Sequence, residues 1–241
     1  ATNISALADT QVAVLANTQL QALNTTQLKG LSVTDIDELS ATQIGQLAPA
    51  QISALVPSQL QELSTTQVGG LTATQLGAIS STNVSLMRDT QLAALSTTQI
   101  KGLTALQMGG LNTANIAALA DTQVQALSST QLGGMTPTGF SNLSATQVGV
   151  LTSVQLKGLT TAQIKGLTVT DVAEFDETQI GALSPAQIGA LSATAFSALV
   201  DTQVAALTAN QMKGLTANQI QWVAGIINGT TNFILSEMRD K

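Results

Sequence analysis

Every eighth residue from Ile4 to Ile220 is apolar: Ile4, Val12, Leu20, Leu28, Ile36 and onward in one register. A second apolar column keeps the same step from Leu7 through Leu15, Leu23 and Leu31 to Val223. Two such columns, sustained without an insertion, demand a repeat architecture in which each unit packs on its neighbours. The unit reads roughly Ser/Thr-x-Thr-Gln-Ile-x-Gly/Ala-Leu, and Leu39–Leu71 states it four times in succession.

The columns lie three residues apart, then five. In a strand, residues three apart face opposite sides, so this is no half-buried strand. In a helix they share a face. A continuous helix fails too, because eight residues leave about 80° of drift per repeat. A short helix, a break and another short helix satisfy both conditions. The fold class expected is all-α, a solenoid of very short helices with one helix per octad.

The flanking residues agree. Positions divisible by eight favour N-cap types, as at Asn24, Ser32, Ser40, Ser64, Thr72, Ser80, Ser96 and Thr104, whose oxygens accept first-turn N–H groups. Gln follows three places later at Gln27, Gln43, Gln67, Gln75 and Gln99, completing a capping box. Where the cap type is missing, the next residue is read as its substitute: Asp9 after Ala8, Asp89 after Arg88, Asp121 after Ala120, Asp201 after Val200. Pro49, Pro57, Pro137 and Pro185 all fall one place after the cap, the helical site that tolerates Pro best. Lys29, Lys101, Lys157, Lys165 and Lys213 fall five places after it, near the negative helix end. Gly69-Gly70 and Gly109-Gly110 stand beside that position, where the chain is expected to turn.

One octad cannot fold alone, since burying one Ile and one Leu does not offset the entropy of ordering eight residues. The helices must therefore stack. Coils of two octads at helix spacings of about 8–10 Å would build a rod of about 110–140 Å, and coils of three remain an alternative.

Composition removes several functions. There is no His and no Cys, which takes away the commonest general base, the thiol nucleophile and most zinc chemistry. A net charge of −6 opposes binding to a phosphate backbone, so no nucleic-acid partner is expected. No apolar run is long enough for a membrane span. With 44% hydrophobic and only 9% charged residues, a folded array is expected rather than disorder. The chain opens on Ala1 without a charged and apolar leader, and is read as a processed product or an excerpt.

Two domains are expected, 1–222 as the octad array and 223–241 as a non-repeat tail. Within the array, the acidic octad Ser32–Leu39 returns at Thr168–Phe175, and Leu47–Leu55 returns at Leu183–Leu191, both seventeen octads later. Duplication of blocks explains that offset. Pro137, Gly139 and Phe140 mark a variant octad with Gly where Gln usually stands.

In the tail, Gly225-Ile226-Ile227-Asn228-Gly229-Thr230-Thr231-Asn232 resembles the Gly-Ile-x-Asn-Gly-Thr-Thr-Asn segment of homoserine dehydrogenases. That resemblance implies a piece of a substrate domain. No Gly-x-Gly-x-x-Gly opening a βαβ unit accompanies it, so no cofactor is expected. The tail is read as a fused segment, or as a cover for the last coil. The Thr/Gln/Ala/Leu octads themselves resemble tracts in very large bacterial secreted or surface proteins of adhesin type.

No catalytic, cofactor-binding or metal residue is singled out. Asp35, Asp37 and Glu38, and again Asp171, Glu174, Asp176 and Glu177, offer Ca²⁺ its preferred oxygens. Charges at helix starts and on a solvated face are the favoured reading of both groups. The Gln column is read as capping rather than a ligand ladder. Thr42, Thr66, Thr74, Thr90 and Thr98 form a regular column that either bonds locally or orders ice or a polysaccharide. Phe140, Phe175 and Phe196 fall in the apolar columns and are read as core.

The function expected is therefore non-enzymatic: an extracellular or cell-surface rod that self-assembles into fibres or serves as a stalk. The alternative is a binding module that uses the Thr face.

Overall fold

A computed structural model describes residues 9–225, with side-chain surroundings from residue 11. Helices α1 (Asp9–Ala13) to α26 (Ala209–Met212), one per octad, are four to six residues long, and residues 217–225 are helical as well. No strand occurs among the described residues. The fold is an all-α solenoid of short helices. The chain divides into two compact units, Ala1–Val150 and Leu151–Lys241, and each is described by itself.

Within each unit the main packing partner of a helix lies three helices further along. In the first, α5 (Ala41–Gln46) packs on α8 (Thr65–Gly70), α6 (Pro49–Ala54) on α9 (Ala73–Ala78), and α10 (Ser81–Ser85) on α13 (Ala105–Gly110). In the second, α19 (Ser153–Lys157) packs on α22 (Glu177–Ala182), and α20 (Thr161–Lys165) on α23 (Pro185–Ala190). A coil therefore holds three octads, not two. Both apolar columns point inward: Ile44, Leu47, Ile52, Leu55, Leu156 and Leu159 are buried, as are Phe140, Phe175 and Phe196.

Caps start the helices. The Ser40, Ser64 and Thr72 hydroxyls accept the backbone N–H groups of Gln43, Gln67 and Gln75. In return the Gln side chains accept from the backbone N–H groups of Ser40, Ser64 and Thr72, at 2.7–2.8 Å. Pro49, Pro57, Pro137 and Pro185 each open a helix. Lys29, Lys157 and Lys165 lie in last turns, while Lys101 and Lys213 follow theirs directly.

Two local expectations are corrected. Asp89, Asp121 and Asp201 do not replace the missing caps; each is the first helical residue, and Arg88, Ala120 and Val200 keep the N-cap place. The register holds because Gln91, Gln123 and Gln203 still accept the N-cap N–H groups at 2.8–3.0 Å. The aspartates contribute charge at the positive helix end instead.

Gly69-Gly70 and Gly109-Gly110 are not turn residues either: they are the last residues of α8 and of α13 (Ala105–Gly110), without positive φ. Several glycines, Gly70 among them, permit close backbone approach. A Cβ on Gly70 would strike the backbone of Ala41 one coil earlier, and one on Gly77 would lie 2.7 Å from the Gly102 carbonyl oxygen. The same contact recurs between Gly214 and Pro185.

Candidate functional site

The Gln column does more than cap. Gln75 Nε2 donates to the carbonyls of Ile44 at 2.9 Å and Leu47 at 2.7 Å. Gln99 reaches Val68 and Leu71 in the same way, Gln107 reaches Leu76 and Ile79, and Gln187 reaches Leu156 and Leu159. Each Gln thus fixes its own helix start with Oε1 and clasps the preceding coil with Nε2. The clasped carbonyls end the octad four places earlier. Gln75, Gln107 and Gln163 are all 1% exposed, so the column offers no ligand ladder.

The acidic groups are largely absorbed by the same architecture. Asp35 and Asp171 take the Gln place, their carboxylates accepting from the backbone N–H groups of Ser32 and Thr168 at 2.7 Å. Asp176 is the N-cap of α22, accepting from the Gln179 N–H at 2.7 Å. Glu177 opens that helix. Its carboxyl is held below the ordinary value by its own backbone N–H and by the Thr202 hydroxyl. Burial, with a further push from Asp171, raises the Glu174 carboxyl. Asp37 is exposed and Glu38 partly covered. No grouping of three or more His, Cys, Asp or Glu that could hold a metal ion occurs among the described residues. The structure does not gather either set into a Ca²⁺ site.

The Thr column faces solvent. Thr42, Thr66 and Thr90 lie on α5, α8 and α11 (Asp89–Ala93), one file of successive coils. Thr74 and Thr98 lie on α9 and α12 (Thr97–Ile100), and Thr122 and Thr146 continue their file on α15 (Asp121–Ala126) and α18 (Ala145–Gly149). All are exposed.

Sequence reasoning missed two features. A depression of about 340 Å³ lies among Thr194, Phe196, Ser197, Asn218 and Trp222. There Trp222 meets Phe196 edge-on, with ring centroids 5.4 Å apart. The second is a loss of burial along one core column. The column that begins at Val12 is fully buried at Ile180, Ile188 and Phe196, yet Met212 is 38% and Ile220 51% exposed. Both features come from contacts a whole coil away, to which an eight-residue pattern is blind.

Comparison with known proteins matches this arrangement. The ALTTAQ repeat family matches residues 172–209. The chain is a repeat protein. The homoserine dehydrogenase family matches residues 207–241. Homoserine dehydrogenases of Methylobacillus glycogenes and Pseudomonas aeruginosa are 83% and 79% identical to this chain over 24 residues. Those residues are 10% of this chain and 6% of each relative. The chain therefore spans about 6% of the length of the curated relatives it matches, too little to indicate their activity. Of the tail that resembles them, residues 226–241 lie outside the described residues. No described helix is long and apolar enough to cross a membrane.

Proposed function

We propose that this repeat protein is structural and non-enzymatic, and that it self-associates into extracellular fibres or serves as a surface stalk. The observation that carries this reading is the exposed core column at Met212 and Ile220. A stacked array that leaves core side chains uncovered presents the surface on which a further coil would pack. Low charge removes much of the repulsion that keeps proteins apart, and regular coils repeat any lateral contact many times. An extracellular or cell-surface setting is part of the proposal and rests on the likeness of the octads to adhesin-type tracts.

Electron microscopy of the purified chain across a dilution series tests it. Filaments of constant width that lengthen with concentration are expected. Single short particles at every concentration would leave only the stalk.

A second reading makes the Thr face a binder of ice or polysaccharide. The file Thr74, Thr98, Thr122 and Thr146, exposed on successive coils, favours it. Thermal hysteresis or polysaccharide retention by the monomer, abolished by Thr98→Lys with Thr122→Lys, would support that reading. NADPH-dependent turnover of the homoserine dehydrogenase substrates is the test for enzymatic activity, and none is expected.

A further inference from the structure

We propose that the face formed by α10, α13 and α16 (Ser129–Gly134) is where two copies of this chain meet side by side, each presenting the same face. The inference rests on the self-association proposed above and names the surface that carries it.

These three helices stack on one another in successive coils of the first unit. Their octads, 80–87, 104–111 and 128–135, contain no charged residue. The helices that share those coils do: Arg88 and Asp89 begin α11, Lys101 ends α12 and Asp121 opens α15. The large apolar side chains left exposed in the same coils both belong to the uncharged octads, Leu86 at 42% and Leu106 at 75%. Leu106 takes the octad place that Thr82 and Thr130 hold on the helices to either side. An apolar side chain thus replaces a hydroxyl where no described residue covers it. Its surroundings are Ser, Thr, Ala and Gly, small enough for a second helical face to seat its ridges close by.

The core beneath the face changes as well. Met87, Met108 and Met135 are the buried methionines among the described residues, and all three belong to these octads. Unbranched thioether side chains re-pack at little cost, so these helices can adjust when another surface seats on them.

Charge decides what that surface is. The chain carries −6, yet residues 80–135 hold two cations, Arg88 and Lys101, and two anions, Asp89 and Asp121. Copies that repel one another elsewhere do not repel here. Because α12 leads into α13 and α10 into α11, Lys101 marks the edge where the helices of the face begin, and Asp89 the edge where they end. Arg88 is already paired with Glu62 at 2.8 Å. Two copies set face to face with their coils running the same way reverse these edges. Lys101 of each then approaches Asp89 of the other, and the two Leu106 side chains meet about the two-fold axis. The face holds no aromatic ring for a sugar and no cation for a phosphate.

The test is sedimentation equilibrium of the full chain over a dilution series. Leu106→Glu places a charge at an exposed site, so circular dichroism and melting should match the wild type. The concentration at which copies associate should rise at least about tenfold. Ala114→Glu makes the same change at the same octad place on α14 (Thr113–Ala117), away from the face, and should leave association unchanged. Leu106→Lys should weaken association by itself, and an equimolar mixture with Leu106→Glu should restore it. Lys101→Glu, brought against Asp89, should weaken it too.

A Leu106→Glu chain that associates at the wild-type concentration, or an equal loss in Ala114→Glu, would overturn this face and leave self-association intact. A mixture no better than its components, or a Lys101→Glu chain that associates like the wild type, would overturn the meeting of like faces. Wild-type chains that stay single at every concentration would overturn both readings. Single wild-type chains that bind phosphatidylcholine vesicles, and lose that binding with Leu106→Glu, would give the face to a lipid surface instead.

Discussion

Gln75 Nε2 donates to the Leu47 carbonyl at 2.7 Å, 28 residues earlier, while Gln75 Oε1 accepts the Thr72 backbone N–H at 2.7 Å. One side chain thereby starts a helix and ties it to the coil beneath. Gln75→Leu keeps the volume roughly constant but removes both ends of the tie. It leaves the Thr72 N–H and the Leu47 carbonyl without side-chain partners in the interior. The expected loss of stability is about 2–4 kcal/mol. Thr72→Ala, which removes only the hydroxyl that accepts the Gln75 N–H, should cost about 1 kcal/mol. Urea unfolding of the two variants checks the ranking, and equal midpoints would show that the inter-coil bonds contribute nothing.

Gly69 and Gly70 are neighbours on α8 with opposite surroundings. A Cβ at Gly69 meets nothing within 4 Å, whereas one at Gly70 would strike the Ala41 backbone. Gly69→Ala should therefore stabilise, by up to about 1 kcal/mol from helix propensity. Gly70→Ala should destabilise, because α5 and α8 would have to separate. Thermal melting of the two single variants reads the sign directly, and a stabilising Gly70→Ala would mean that the helices part at little cost.

These two cases mark where the sequence is legible. The columns through Ile44 and Leu47, the caps at Ser40 and Thr72 and the prolines at helix starts are local, set by neighbours within one octad. Period and residue type suffice to read them. The size of the coil is not local. It depends on which helix lies under which, and Gln75 looks the same whether Leu47 or some other carbonyl lies below it. Gly70 is ambiguous for a related reason: a residue without a side chain suits a turn and a tight crossing alike, and only Ala41 decides between them. Asp89 was open to the opposite error, since a good N-cap type beside Arg88 invites a shift of one residue. The Gln91 side chain bonded to the Arg88 N–H holds the frame.

The two glutamates of the second unit should respond to pH in opposite directions. Burial raises the Glu174 carboxyl above its ordinary value of 4.5. Its stabilising state is thus the protonated one, fully present below the unfolded pKa and lost as pH rises through the folded one. The Glu177 carboxyl is lowered by its own backbone N–H and by Thr202. Its contribution is present above the unfolded pKa and lost as pH falls through the folded one. At neutral pH, Glu174→Gln should therefore melt above the wild type and Glu177→Gln below it. Both differences should shrink towards about pH 3.5, where carboxylates in unfolded chains are mostly protonated. Solvent screening keeps the effects small, so melting curves at paired pH values are the measurement. Shifts of the same sign in both variants would contradict the assignment.

The single Trp of the chain gives a view of the exposed core residues Met212 and Ile220. Trp222 packs edge-on against Phe196 at 5.4 Å, in the region where Met212 and Ile220 lie uncovered. Those two core residues lack a covering neighbour, and in a linear array stability falls where a neighbour is missing. In dilute solution Trp222 fluorescence should therefore change at a lower urea concentration than the helical circular dichroism. Coincident transitions would mean that the last coil unfolds with the rest. At concentrations where filaments form, a second copy would supply the missing neighbour, and the fluorescence midpoint should move up to meet that of the helices. Phe196→Leu provides the control. It removes the ring contact and alters the emission of the folded chain, while the dependence of the midpoint on protein concentration should persist, since that dependence comes from contact between copies and not from the ring pair.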